Sequence, residues 1–437
     1  MELRKRARMR QKLCSWGVVW LSMVGSFEAT ALSLEAAIQH TLQTNPEMLA
    51  VQHETVAREF EVKQARAGYL PELSVTAGLG RETRTAPATG NETVELDRQE
   101  LGLQAKQMVF DGFATSSEVS RQVARVESIG HEGKATAERL ALDVSESYLN
   151  VLRRASLLDL TRDTLWEHQN IYDQMKLRSE KGVGSKADLD QIAARLALAN
   201  ANMVVAQTNL ADAQTHFYRV TGLYPNLVNM KKPEAKGVLP ASRDKAISVA
   251  ISNHPQLQSA SADVSAAKSQ YEAAGSRFWP SVSLEAEKRW DDNVGAVPGE
   301  DEDLIVALRL RYELYSGGAN KSRRQQTAYL VEEAKSVRNN SRRQVVESMN
   351  LSWNAYEALD AQMVFLEQHV TAAKNTKSAY IKQFNIGRRT LLDLLNTETE
   401  VVEARRALIN AQFDSLFARF RIFNAAGQLI NVLAEQH

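Results

Sequence analysis

One cysteine, Cys14, stands in a chain of 437 residues. No disulfide framework can form within one copy, so the fold must be held by packing. No charge sign dominates: 53 Lys and Arg face 53 Asp and Glu, and nothing in that balance calls for nucleic acid. Past the N-terminal stretch, no apolar run reaches the ~18 residues of a membrane-helix candidate. If the mature chain spans a membrane, it must do so as a closed β-barrel. Catalytic signatures are missing too. "SGGANKS" lacks phosphate-loop spacing, and "GVGS" is a fragment of a dinucleotide motif with no strand before it. The histidines His40, His53, His131, His168, His216, His254 and His369 show no metal-ligand pairing. Neither an enzyme nor a cofactor is expected.

What is present begins with Arg4, Lys5, Arg6, Arg8, Arg10 and Lys12. An apolar run from Leu13 to Phe27 follows, and then Ala29-Thr30-Ala31. That order reads as an export signal over residues 1–31, cleaved at the A-x-A site. The apolar run, about 15 residues, falls short of the ~20 that a spanning anchor needs. Cleavage removes Cys14. It also takes six groups from the 53 basic and two from the 53 acidic, leaving 47 against 51.

The rest of the chain is duplicated. Pro46 and Pro255 are 209 residues apart, as are Pro71 and Pro280. "VFDGFAT" around Gly112 corresponds to "LYSGGAN" around Gly317, and "KGVGSKADLDQ" around Gly184 to "FNIGRRTLLDLL" around Gly387. A shared order and near-equal spacing mark an internal repeat. The first repeat covers residues 32–224 and the second 240–437; the Pro- and Lys-rich 225–239 reads as a connector. Each repeat opens with a short helix, then a helix with Pro at its first position after a capping residue. Pro71 or Pro280 ends the second helix, and two strands follow, over about 72–83 and 96–110, then 281–291 and 302–315. Long helical patterns run from about Ser116 to Lys181 and from Asn320 to Asn385, each roughly 100 Å at 1.5 Å per residue. Val345, Met349, Trp353, Tyr356, Leu359, Met363, Leu366 and Val370 recur at spacings of three and four, a coiled-coil seam that holds helices together and does no chemistry.

The strands alternate. Leu304, Val306, Leu308 and Leu310 share a face, whereas Asp303, Arg309, Arg311 and Glu313 share the other. Val282, Leu284 and Ala286 oppose Ser283, Glu285 and Glu287; Leu73, Val75, Ala77 and Leu79 oppose Glu72, Ser74 and Thr76. A half-buried soluble sheet alternates in the same way. The export signal, the missing cysteine and the return to long helices favour a barrel with lipid outside and Arg309, Arg311 and Glu313 facing a wet lumen. Four strands cannot close, and an open edge in lipid strands its amides. The chain must therefore associate; two copies supply eight strands and three supply twelve.

With these features in view, the sequence resembles the TolC family of outer-membrane channels across essentially the whole mature chain. "RAGYLPELSVTAGLGRE", "QMVFDGFATSSEVSRQVARV" and "KLRSEKGVGSKADLDQIAARLALANAN" resemble its type I secretion branch, which includes agglutination and adhesin-export proteins. The resemblance implies a mainly α fold with a small β part. It implies a homotrimer sharing one twelve-stranded transmembrane barrel, with long helical hairpins forming an α-barrel across the periplasm. Its implied partners are a periplasmic adaptor, an inner-membrane ABC transporter, outer-membrane lipid and a secreted protein cargo. A drug- or metal-efflux channel has the same build, and a periplasmic coiled-coil scaffold is the non-transport alternative.

The resemblance further implies a gate at the periplasmic end, in "FNIGRRTLLDLLN". Arg389 and Asp393 fall on the family's gating arginine and first aspartate. Asn396 stands where the family has a second aspartate, Phe384 where it has a tyrosine link, and Asp190 matches beside Leu189 in place of threonine. Gly182, Gly184, Ser185, Gly387 and Arg388 form the tips expected to touch the adaptor.

Overall fold

The computed structural model describes residues 33–234 and 237–434. The expected export signal, including Cys14, lies outside the described residues.

Each repeat begins with two capped helices. Ser33 Oγ accepts from the Ala36 amide at 3.1 Å at the head of α1 (Leu34–Thr44). Asn45 Oδ1 accepts from the Glu47 amide at 2.9 Å and starts α2 (Pro46–Ala67) with proline in its first turn, where the missing N–H costs nothing. After the first pair of strands come α3 (Ala114–Glu180) and α4 (Lys186–Thr221). The second repeat supplies α5 (Arg243–Asn253), α6 (Pro255–Gly275), α7 (Ala319–Asn385), α8 (Leu391–Ala425) and a terminal α9 (Leu429–Ala434). His254 takes the place of Asn45, its Nδ1 accepting from the Gln256 amide. The two longest helices, α3 and α7, have 67 residues each, so each spans roughly 100 Å.

The strands β1 (Glu72–Thr85), β2 (Thr93–Phe110), β3 (Ser281–Asp292) and β4 (Glu300–Arg311) form one antiparallel sheet in sequence order. The first hairpin pairs as far as Thr85 opposite Thr93, so it is longer than the alternation indicates. β4 starts two residues earlier than expected and ends at Arg311 instead of 315. Arg311 pairs with Ser281, and the next residue on the neighbouring strand is Pro280, which has no N–H to extend the ladder. Glu313 is therefore corrected: it lies beyond the strand, where its Oε2 accepts from Asn320 Nδ2 at 3.1 Å, at the start of α7. The sequence alternation continues into Tyr312 and Leu314, but the hydrogen bonding does not.

The largest core cluster joins the repeats. Leu34 and Ile38 of α1, Val144, Tyr148 and Val151 of α3, Phe217 of α4, Phe420 and Phe423 of α8, and Leu429 of α9 are buried together. Tyr148 is fully buried, and its hydroxyl donates to the Lys231 carbonyl at 2.9 Å and accepts from the Lys231 amide at 3.1 Å. The connector is thus pinned to the core; Met230 is buried in the same cluster.

Candidate functional site

Register sorts the sheet into two faces, because residues paired across a ladder point the same way. One face carries Leu73, Val75, Ala77 and Leu79 of β1 against Ala105, Leu103, Leu101 and Gln99 of β2. It continues through Leu284 and Ala286 of β3 to Leu308 and Val306 of β4. Leu79 is 85% and Leu304 69% exposed, which water would penalise at each apolar side chain. Near its loop end this face finishes in polar chemistry. Lys288 Nζ donates to Glu302 at 2.7 Å and lies 5.3 Å from the Trp290 ring, the mixed aromatic and charged edge of a bilayer boundary.

The opposite face is charged. Glu285 of β3 sits between Lys106 of β2 at 3.4 Å and Arg309 of β4 at 2.5 Å. Arg98 pairs with Glu82 at 3.3 Å and also with Glu100, and Arg289 with Glu287 at 3.4 Å. Arg309 thus shares this face with Glu285, and Arg311 follows it at the strand end. The loop between β3 and β4 leans back onto the first hairpin: Arg84 donates to the Gly295 carbonyl at 2.9 Å, and Glu82 accepts from the Gly295 amide at 3.1 Å.

At the far end of the long helices, the repeats build the same turn twice. Gly182 and Gly387 both have positive φ, 74° and 73°. The Val183 amide donates to the Arg178 carbonyl at 3.0 Å, and the Arg388 amide to the Gln383 carbonyl at 2.9 Å, closing the last helical turn around a left-handed glycine. Ser185 Oγ then caps α4 through the Ala187 amide at 3.1 Å. Gly184 packs against the end of α3, where a β-carbon would lie 3.0 Å from the Ser179 nitrogen.

The gate candidates divide between these turns. Arg389 is held within its own tip: its guanidinium lies 4.2 Å from the Tyr380 ring, and Nε donates to Gln383 Oε1 at 3.0 Å. Asp393 closes a capping box with Thr390. Its Oδ2 accepts from the Thr390 amide at 3.2 Å and hydroxyl at 2.9 Å, while its own amide donates to Thr390 Oγ1 at 3.2 Å. Those bonds, the hydroxyl's first, together with the Arg389 charge, hold its carboxyl below the ordinary range. Asn396 and Asp190 are exposed. Phe384 packs with Leu189, Ile171 and Tyr172 around buried Met175, Ile192, Leu391 and Leu395, and the Arg178 guanidinium stands 5.3 Å from its ring. The two tips are tied by apolar contact where a tyrosine hydroxyl could have made a polar link. Sequence reasoning placed Glu285 on the polar face of its strand without making it a site residue, and did not single out Tyr380 or Arg178, for which helical spacing was the signal available.

Among the described residues, no helix is long and apolar enough to cross a membrane. A model of the family described as "Outer membrane efflux protein" matches residues 37–223 and 246–428. The chain belongs to that family. It is 25% identical to outer membrane protein TolC of Vibrio cholerae over 89% of each chain. It is 23% identical to the alkaline protease secretion protein AprF of Pseudomonas aeruginosa, over 92% of this chain and 86% of that one. The solved structure of CusC, described for its folding and transmembrane channel formation, superposes with a TM-score of 0.80 at 15% identity, covering 90% of this chain and 92% of that chain. The protein is thus an outer-membrane channel of TolC type: long helices extend into the periplasm and the small sheet enters the membrane. Membership of this family overturns the soluble-scaffold alternative.

Proposed function

We propose that three copies of the chain close a twelve-stranded barrel in the outer membrane, and that the tunnel below it exports protein from a type I secretion machine. The observation that carries this reading is the sheet with two unpaired edges, greasy on one face and charged on the other. Backbone groups on β1 and β4 need partners in lipid, and neighbouring copies supply them. Twelve strands leave room for a lumen, whereas eight would be filled by side chains. An inner-membrane ABC transporter and a periplasmic adaptor complete the machine, the adaptor engaging the tips at Gly182, Gly184, Ser185, Gly387 and Arg388. Arg389, Asp393, Asn396, Asp190 and Phe384 line the periplasmic closure. Likeness to AprF, a secretion protein by name, supports protein cargo; the family's own description supports efflux.

Gene deletion separates the two. Loss of a secreted polypeptide from the medium, restored by the intact chain, with drug and metal tolerance unchanged, is the expected result. Lost tolerance with an unchanged secretome would assign the channel to efflux.

A further inference from the structure

The seam of the α7/α8 hairpin contains one charged layer. On α7, Val370, Ala373, Lys377, Tyr380 and Phe384 follow at spacings of three and four; on α8, so do Leu391, Leu394, Glu398, Val401 and Ala404. On one side of the layer Val370, Ala373, Val401 and Ala404 form a buried apolar cluster. On the other, Met175, Ile192, Leu391 and Leu395 form a second. Between them Lys377 Nζ lies 2.5 Å from Glu398 Oε2 and 2.5 Å from Glu167 Oε2 of α3. Glu398 is only 3% exposed. Two acids and one base are thus gathered from three helices, about 12 Å from the tip at 1.5 Å per residue.

Apolar packing at this layer would hold the helices at least as well, since a buried ionic cluster gives up much of its Coulomb gain to desolvation. What a polar seam position supplies is register. We infer that Glu167, Lys377 and Glu398 form a proton-responsive clasp that fixes the α7/α8 hairpin against α3 and so sets the resting aperture of the tips. This rests on the reading of those tips as the tunnel's closure.

The sign follows from the surroundings. Burial, then the neighbouring Glu167, push Glu398 up to about 7, against the pull of Lys377. Against burial, its bonds to Glu398 and Lys377 hold Glu167 low, so below about pH 7 Glu398 is the acid that holds a proton. His168 of α3 interacts with Glu167 and Lys377 of the layer, and burial, with Arg195 of α4 contributing, lowers it below the ordinary imidazole range. Arg405 of α8 also acts on Glu167 and pairs with Asp163 of α3 at 3.4 Å. His369 of α7 lies 3.7 Å from Glu400 of α8. Releasing the hairpin would wet Glu398 and return it toward 4.5, so the clasped form takes up a proton and tightens as pH falls from 8 to 6.

The test uses the mature channel in planar bilayers and, in nanodiscs, pulsed spin-label distances between Glu180→Cys and Arg388→Cys. The ratio of released to clasped forms should rise up to about tenfold from pH 6 to pH 8, as that shift predicts. Glu398→Gln should hold the channel at its pH 6 behaviour throughout, and His369→Gln should leave the step intact. Lys377→Met should loosen the clasp at both pH values; if it fails to assemble, Lys377→Met with Glu398→Leu restores an apolar seam and should abolish the step. A Glu398→Gln channel that keeps the step, or a wild-type distance indifferent to pH, overturns the clasp. Distances that respond while conductance does not would uphold the clasp and reject the tips as the gate.

Discussion

Gly112 lies so close to Ser276 that a β-carbon on it would stand 2.5 Å from the Ser276 carbonyl oxygen and 2.8 Å from the Trp279 β-carbon. Its φ of 66° is left-handed, and Phe113 beside it shares that region at 69°. The second repeat makes the same strand-to-helix turn with Gly317 and Gly318, at 63° and 86°. Here the barrel hands over to the tunnel, and the two repeats touch. Gly112→Ala meets both an unfavourable dihedral and a backbone wall, costing about 1–3 kcal/mol. Gly317→Ala, with nothing within 4 Å, meets only the dihedral, about 1 kcal/mol. Heat-dissociation of the assembled oligomer on gels should rank wild type above Gly317→Ala above Gly112→Ala; equal losses would show that the wall is not felt.

Glu285 balances two cations, Lys106 and Arg309, on the charged face of the sheet. Glu285→Gln leaves both without a carboxylate, three times around the proposed trimeric barrel. Reversal potentials in a salt gradient should shift toward anions, and Arg309→Gln should shift them the other way. The effect should shrink at high salt, as screening requires. Identical selectivity in all three channels would place this face away from the permeation path.

Glu138 links α3 to the final helix: its carboxylate accepts from the amides of Leu429 at 3.0 Å and Ile430 at 3.2 Å. Burial pushes its carboxyl up to about 7 despite those bonds. A raised carboxyl favours the folded state fully below its unfolded value near 4.5 and loses that contribution as pH rises through 7. Glu138→Gln should flatten this part of the melting-temperature profile between those values. It should also lower stability by about 1 kcal/mol throughout, since one amide loses its acceptor. An unaltered slope would mean that water reaches the carboxylate.

Much of this architecture is legible in the sequence because its signals are periodic or punctuating. Two-residue alternation marks all four strands, Pro46 and Pro255 mark helix starts, and the glycines at 182 and 387 mark the tips. Glu313 misleads because alternation is a property of one strand, whereas a strand's end is decided by its partner, here by Pro280. Arg389 is harder still. Its sequence position suggests a link between hairpins, but Gln383 and Tyr380, six and nine residues back on α7, capture it within the chain. The Lys377–Glu398 layer lies beyond the seam that spacing marks, which ends at Val370. Only packing brings Glu167 of α3 to it, 210 residues from Lys377.

Asp393 requires a substitution that separates its two roles. It is the third residue of a capping box on Thr390, so alanine would remove both a charge and the carboxylate's half of the box, about 1 kcal/mol. Asp393→Asn keeps an oxygen facing the Thr390 amide and hydroxyl while deleting the charge. If three copies of Asp393 approach a common axis, their carboxylates concentrate cations at the constriction. The asparagine channel should then show weaker block by divalent cations in planar bilayers with its thermal stability nearly unchanged, whereas the alanine channel should lose both. Arg389→Ser, which removes the contacts with Tyr380 and Gln383, should raise resting conductance. Divalent block that survives Asp393→Asn at full strength would reduce Asp393 to a helix cap and move the closure elsewhere in the tips.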